Sequence, residues 1–269
     1  MSRVTSKDGT SIAYTRAGTG PAVILVGGAL DDGAENAPLA AELATSFTVI
    51  NYARRGRAES GDTLPYAVQR ELDDLEALLA VAGEPAHVFG ASSGGGLVLE
   101  AAAAGLPVGR LAVYEVPYIV DEPMRRAAQS IMADLRVALA DGRRGAAVEL
   151  FMQLAGSSED DIAGARKSPY WAGLEAVAPT LAYDAACMNS YDPPLARLAT
   201  ISRPTLVMVG GLSSEAQPGM GGVPTGFFSS AADAIVAAIP AAERVTLERQ
   251  GHVADPVLLG SALARFFTA

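Results

Sequence analysis

Short apolar runs and longer periodic stretches alternate along most of this chain. "PAVILVGG" is a continuous apolar run closed by glycine, the pattern of a strand buried on both faces, and "FTVINYA" over 47–53 repeats it. "SIAYTRAG" alternates apolar with polar positions and ends at the turn of Gly18 and Gly20; "NAPLAAELATS" has the length and spacing of a short helix. Over 66–82, Val68, Leu72, Leu75 and Leu79 recur at spacings of four, three and four, which is one face of a helix. The strand "AHVFG", a helix over 93–104 and the strand "RLAVYE" follow; the strands "PTLVMVGG" and "ERVTLER" come much later. A closing helix over 254–267 places Leu259, Leu263 and Phe266 on one face. Strands alternating with helices predict the α/β class, with a mostly parallel sheet covered on both faces.

One section breaks the alternation. From Val116 to Thr200 no convincing strand is found. "DEPMRRAAQSIMADLRVALADG" and "RRGAAVELFMQLAG" read as two helices split at Gly142, and the remainder is interrupted by Pro169, Pro179 and Pro193. The expected organisation is therefore a core of residues 1–116 and 200–269 carrying a helical insert over 117–199. The insert holds Met124, Met132, Met152 and Met188 with Phe151, Tyr170, Trp171, Tyr183 and Tyr191. Such residues either make the insert's own small core or line an adaptable apolar pocket. As pocket residues the reading selects Trp171, Met152, Tyr183 and Met188, with Leu30 from the core.

Composition narrows the function. The 269 residues are half hydrophobic, enough for one sizeable core, and the formal net charge is −10. That balance argues against nucleic acid or an anionic membrane surface as partner, because either needs a basic patch. Cys187 is the single cysteine, so no internal disulfide forms and a reducing compartment is expected; its Ala-rich surroundings mark a small apolar filler. The start, "MSRVTSKDGTSIAY", lacks the apolar core of a signal peptide, and no apolar run approaches the ~20 residues needed to span a bilayer. The expected setting is cytoplasmic and the expected partner a small-molecule substrate, with a homodimer left open. No G-x-G-x-x-G opens a helix after the first buried strand, no Walker lysine is present, and two distant histidines with one cysteine make no zinc set. No cofactor and no metal are expected. Arg54, Arg55 and Arg57 in "YARRGRAESGD" are read as a structural loop bonded to backbone and to acidic neighbours such as Asp62.

The chemistry concentrates at "GASSGG". Gly90-Ala91-Ser92-Ser93-Gly94 matches G-x-S-x-G between a buried strand and a helix, where a strained turn lifts a serine Oγ above the sheet. Positions two before and two after that serine must be small. Ser92 has glycine at both; Ser93 would have Ala91 and Gly95, a poorer fit. Ser92 is therefore the candidate nucleophile, and the backbone N–H of Ser93 is one donor for a developing oxyanion.

These segments resemble the α/β-hydrolases that carry a helical cap, over roughly residues 10–116 and 200–267. "VILVGGAL" is similar to that family's oxyanion strand and loop, "YARRGRAESGD" to its strand-4 exit, "GASSGG" to its elbow and "RQGHVADP" to its histidine loop. The resemblance implies an eight-stranded, mostly parallel sheet and a second oxyanion donor at the N–H of Ala29. Of the two histidines, His87 begins the strand leading to the elbow and reads as structural. His252 lies between the last strand and the last helix, at the edge where open parallel sheets place their sites, and is the candidate general base. The acid departs from the commonest family pattern. The loop after "PTLVMVGG" reads "GGLSSEAQPG", with Ser213 near the expected aspartate position and Glu215 two residues late. Glu115, closing the strand "LAVYE", is the preferred acid, because a buried carboxylate there needs a partner and His252 offers one. Some family branches place the acid there, including certain dehalogenases and the zearalenone-type lactonases. The lactonases also share a Ser-Ser-Gly elbow and a Glu-x-Pro like Glu115-Val116-Pro117.

The leading function is a cofactor-free serine hydrolase acting on an ester or lactone of a medium-sized apolar molecule. Alternatives on the same scaffold are C–C bond hydrolysis, a perhydrolase reaction, a non-hydrolytic cyclisation, or a ligand-binding protein with a vestigial site. Haloalkane dehalogenase and epoxide hydrolase chemistry is disfavoured, since both need a carboxylate nucleophile where Ser92 stands.

Overall fold

The computed structural model describes residues 1–83 and 85–269, with the side chain of Glu215 outside the described part. Eight strands form one sheet: β1 (Ser2–Thr5), β2 (Ser11–Ala17), β3 (Ala22–Val26), β4 (Thr48–Tyr52), β5 (Ala86–Ala91), β6 (Val108–Tyr114), β7 (Thr205–Gly210) and β8 (Ala242–Leu247). Their spatial order is β1-β2-β4-β3-β5-β6-β7-β8. The pairs β1–β2 and β2–β4 are antiparallel and every later pair is parallel. The sheet and its flanking helices are those of an α/β-hydrolase.

Alternation within the strands explains why both faces are covered. Val23 and Leu25 of β3 point to one side with Val49, Phe89, Leu206 and Met208. Ile24 and Val26 point to the other with Ile50, Val88, Val113 and Val207. Helices α1 (Ala37–Leu43) and α11 (Pro256–Thr268) close the first side through Leu39, Leu43, Leu263 and Phe267. Helices α2 (Val68–Ala82) and α3 (Ser93–Ala103) close the other, and α10 (Phe227–Ala238) joins them through Ala231, Ala232 and Ile235. The start of α11 is set by local chemistry: Pro256 occupies the first turn, and the Asp255 carboxylate accepts the N–H groups of Val257 and Leu258 at 2.9 and 3.1 Å.

Between β6 and β7 the chain is helical. Its elements are α4 (Glu122–Ala140), α5 (Arg144–Leu154), α6 (Glu159–Arg166), α7 (Trp171–Val177), α8 (Leu181–Cys187) and α9 (Leu195–Leu198). Asp121 caps α4, and Gly142, at φ +73°, makes the turn into α5. β1 and α10 escape the sequence reading, and α6 to α9 are covered only by the expectation of a helical insert. β1 is a short edge strand with one half-buried residue, Val4, and so has no periodicity to detect. α10 buries Ala231, Ala232 and Ile235 and packs Phe227, Phe228 and Val236 against the core, in the stretch between "PTLVMVGG" and "ERVTLER" for which no element is expected.

Candidate active site

Ser92 joins β5 to α3 with φ +53° and ψ −127°, a conformation that costs on the order of 1–3 kcal/mol and persists only where the surroundings enforce it. They do so here by close approach. A Cβ on Gly94 would lie 2.5 Å from the carbonyl oxygens of both Val26 and Gly27, and one on Gly90 would meet the Gly94 carbonyl. The Ser92 N–H donates to the Tyr114 carbonyl at 2.9 Å, tying the turn to the end of β6. The two serines then have different fates. Ser92 is half-buried and lines a cavity, whereas the Ser93 hydroxyl is buried and donates to Asp184 Oδ1 at 2.8 Å.

Glu115 follows β6 at φ +46°, and its own N–H donates to Met208 O at 3.0 Å. Its carboxylate is 2 % exposed, so it must be satisfied internally. Oε1 accepts the Gly210 N–H at 2.9 Å, and Oε2 lies 2.8 Å from His252 Nδ1. That contact directs the imidazole's other nitrogen away from the acid. The histidine loop is held from three directions. Gln217 Oε1 accepts the His252 N–H at 2.7 Å, the Tyr114 hydroxyl donates to the Gly251 carbonyl, and Phe228 stacks on the imidazole with centroids 5.0 Å apart. Gln217 and Phe228 were not foreseen from sequence, and only a helical reading of 226–238 would have drawn attention to the second. Ser213 sits in the loop after β7 as expected, and its carbonyl accepts the Ala216 N–H at 3.0 Å; the Glu215 side chain lies outside the described residues.

Ser92, Ser93, Ala29 and His252 all line one cavity of about 530 Å³. Its walls are Met124 and Ile131 of α4, Phe151 and Leu154 of α5, Tyr191, Ile119, and Phe227 and Phe228 of α10. Asp31 and Glu35 are its carboxylates, and no lysine or arginine is among its described lining residues. Burial holds the Asp31 carboxyl above its ordinary range, against the N–H groups of Glu35 and Gly33 bonded to it.

Of the insert's aromatic and methionine side chains, Met124, Phe151 and Tyr191 reach the cavity. Trp171, Met152, Tyr183, Met188 and Leu30, which the sequence leads one to expect there, are not among its lining residues. Met152 follows Phe151 on α5, so it turns about 100° away and packs against the core. Trp171 packs over Gly145 between α7 and α5. Tyr183 stacks on Tyr66 with centroids 3.8 Å apart, and its hydroxyl donates to Asp62 at 2.7 Å. Met188 is buried with its sulfur against Gly96 of α3. Leu30 lines a smaller neighbouring hollow with Tyr170 and Leu174. Arg54, Arg55 and Arg57 are buried, and among the described residues their acidic partners are groups other than Asp62. Arg54 pairs with Glu71 and Asp184, Arg55 with Asp74 and Asp8, and Arg57 with Asp184. His87 is structural in its contacts: its Nδ1 accepts the Arg110 N–H at 3.1 Å and its ring stacks on Phe267. Cys187 is buried beside Tyr66 and Arg54.

Among the described residues no group of three or more histidine, cysteine, aspartate or glutamate side chains could hold a metal ion, and no helix is long and apolar enough to cross a membrane.

The sheet order, the strained serine turn after β5 and the histidine between β8 and α11 define a class. Residues 23–268 match the alpha/beta hydrolase family, and the chain belongs to it. It is 48 % identical to an alpha/beta hydrolase from Sphaerobacter thermophilus DSM 20745 of known structure, over 99 % of this chain and 100 % of that one, with a TM-score of 0.85. The esterase RhEst1 from Rhodococcus sp. ECU1013 shares the fold, with a TM-score of 0.71 at 21 % identity over 100 % of this chain and 98 % of that one. The uncharacterized hydrolase YraK of Bacillus subtilis (strain 168) is 39 % identical over 90 residues, 32 % of this chain; the chain thus spans about a third, 33 %, of that curated relative.

Proposed function

We propose that this hydrolase cleaves a carboxylic ester or lactone of a medium-sized, uncharged, largely apolar molecule through an acyl-enzyme on Ser92. The observation that carries the reading is the shared cavity: Ser92 stands on its strained turn in the same pocket as His252, whose Nδ1 meets the buried carboxylate of Glu115. In this account Ser92 Oγ attacks the acyl carbon while His252 Nε2 takes the hydroxyl proton, and Glu115 orients and stabilises the imidazolium. The N–H groups of Ser93 and Ala29 receive the oxyanion. His252 then protonates the leaving alkoxide, and water, activated by the same imidazole, releases the acid. A lactone opens by the same steps and keeps its alkoxide tethered.

The substrate class follows from the walls. A cavity of about 530 Å³ lined by methionine, phenylalanine, isoleucine and leucine suits an apolar acyl or alcohol group of drug-like size. Its carboxylates, Asp31 and Glu35, disfavour a substrate that carries a carboxylate of its own. The acid position after β6 supports the likeness to zearalenone-type lactonases, so macrocyclic lactones belong in the test beside simple esters.

The test is a panel of p-nitrophenyl acyl esters and macrocyclic lactones, assayed with the wild-type chain and with Ser92→Ala. Turnover of neutral esters or lactones that Ser92→Ala abolishes supports the proposal. If no member is turned over while a fluorophosphonate probe, applied alongside, still labels Ser92, the chemistry moves to C–C cleavage or to a non-hydrolytic reaction.

A further inference from the structure

We infer that Asp184, a carboxylate of the insert outside the cavity lining, is a positioning residue that sets both oxyanion donors at once. The inference rests on the acyl-enzyme reading above and adds a residue to it.

Asp184 lies on α8 with its side chain 1 % exposed. Its Oδ1 accepts three donors: Arg54 Nη1 at 2.6 Å, Arg57 Nη2 at 2.8 Å and the Ser93 hydroxyl at 2.8 Å. Its Oδ2 accepts Arg57 Nη2 at 2.8 Å. Two routes lead from this carboxylate to the site. The first is direct: anchoring the Ser93 side chain fixes the first residue of α3, whose N–H adjoins the nucleophile. The second runs through Arg57, whose Nη1 donates to the Gly28 carbonyl and, at 3.0 Å, to the Asp31 carbonyl. A peptide unit is planar and trans, so a fixed Gly28 carbonyl also fixes the Ala29 N–H, pointing the opposite way. Without that anchor the peptide after Gly28 could rotate at low cost, because glycine tolerates a wide range of backbone angles.

Charge explains why Asp184 is needed for this. Arg54 is already bidentate to Glu71, at 2.8 and 2.7 Å, whereas Asp184 is the carboxylate that pairs with Arg57. The guanidinium that grips the loop is thus held by a residue of the insert. A docked α8 and a formed oxyanion pocket become one state, and a displaced α8 would release both donors together. Arg57 and Asp184 touch no reacting atom, so their contribution is to geometry.

The experiment compares the wild-type chain with Asp184→Asn, which keeps the volume but loses the charge and half the acceptors, and with Ser93→Ala. Each is measured for kcat and KM on a neutral p-nitrophenyl ester, for Ki of an aryl trifluoromethyl ketone, and for thermal unfolding. Ser92 Oγ adds to the ketone's carbonyl carbon while its proton passes to His252 Nε2, and the carbonyl π electrons become a tetrahedral oxyanion facing the two amides. Asp184→Asn is expected to lower kcat about 10- to 100-fold and to weaken the ketone by the same factor, with KM little changed. Ser93→Ala should show the same pairing at several-fold. A merely structural role would lower the unfolding temperature without moving kcat and ketone Ki together. Folded Asp184→Asn with both values within about twofold of wild type overturns the inference. If that variant does not fold, Ser93→Ala with both values unchanged overturns it. A wild-type chain that the ketone does not inhibit, or Ser92→Ala with full turnover, overturns the acyl-enzyme reading and this inference with it.

Discussion

Glu115 Oε2 lies 2.8 Å from His252 Nδ1, although the two residues are 137 positions apart in the chain. The contact joins the C-terminal end of β6 to the loop before α11, and the Glu115 carboxylate is closed from solvent. Replacing Glu115 by Gln should therefore leave the far-ultraviolet spectrum unchanged and lower kcat by about three to four orders of magnitude, as loss of the orienting carboxylate does in serine proteases. Steady-state kinetics on a neutral ester reads this directly. The same substitution at Glu215 should leave kcat intact. The opposite pair of results would place the acid in the loop after β7.

The elbow depends on a missing side chain. Gly94→Ala puts a methyl 2.5 Å from two backbone carbonyl oxygens, which cannot withdraw as a flexible side chain would. The expected outcome is a loss of about 1–3 kcal/mol of stability with near-complete loss of ester turnover. Denaturant unfolding and activity on one preparation measure both. A stable, fully active Gly94→Ala would mean that helix and strand are not in close contact there.

Charge should sort substrates. An ester ending in a carboxylate should have kcat/KM about tenfold or more below its neutral isostere, because Asp31 and Glu35 face the same cavity. Added salt narrows the gap by screening, and Glu35→Gln narrows it further. Equal rates for the two esters would show that neither carboxylate reaches the bound substrate.

The buried arginine cluster gives an acid limb to stability. Burial alone would raise the Glu71 carboxyl, but the charge and hydrogen bonds of Arg54, with further help from Arg57 and Tyr66, bring it down from 4.5 to about 2. A carboxylate whose folded pKa is depressed contributes stability above its unfolded value and loses it as pH falls through the folded one. Wild-type stability should thus fall between pH 4.5 and about 2, and Glu71→Gln should flatten that interval while being less stable at neutral pH. Urea unfolding across this range checks the sign. An equally steep acid limb in Glu71→Gln would assign the loss to other groups.

Local patterns carried the sheet and the candidate site much further than they carried the pocket. β3 and β4 are buried along their whole length, so unbroken apolar runs announce them. Ser92 is legible because close packing demands glycines at fixed offsets, and Glu115 because an acidic residue ending an apolar strand needs a partner. Which face of α4 or α5 meets the cavity depends on how the insert docks, and that leaves no local trace; Phe151 and Met152 are equally apolar neighbours that both pack against the core, and only Phe151 also lines the cavity. Asp184 was illegible for the same reason, since its partners Arg54, Arg57 and Ser93 lie 130, 127 and 91 residues away.

The central claim is that Ser92, and not its neighbour, is the nucleophile. The most direct measurement is intact-mass and peptide mapping after reaction with a fluorophosphonate probe, on the wild-type chain, Ser92→Ala and Ser93→Ala. One adduct on Ser92, absent in Ser92→Ala and retained in Ser93→Ala, is the predicted result. An adduct on Ser93, or a Ser92→Ala chain that still labels at the wild-type rate, would contradict it.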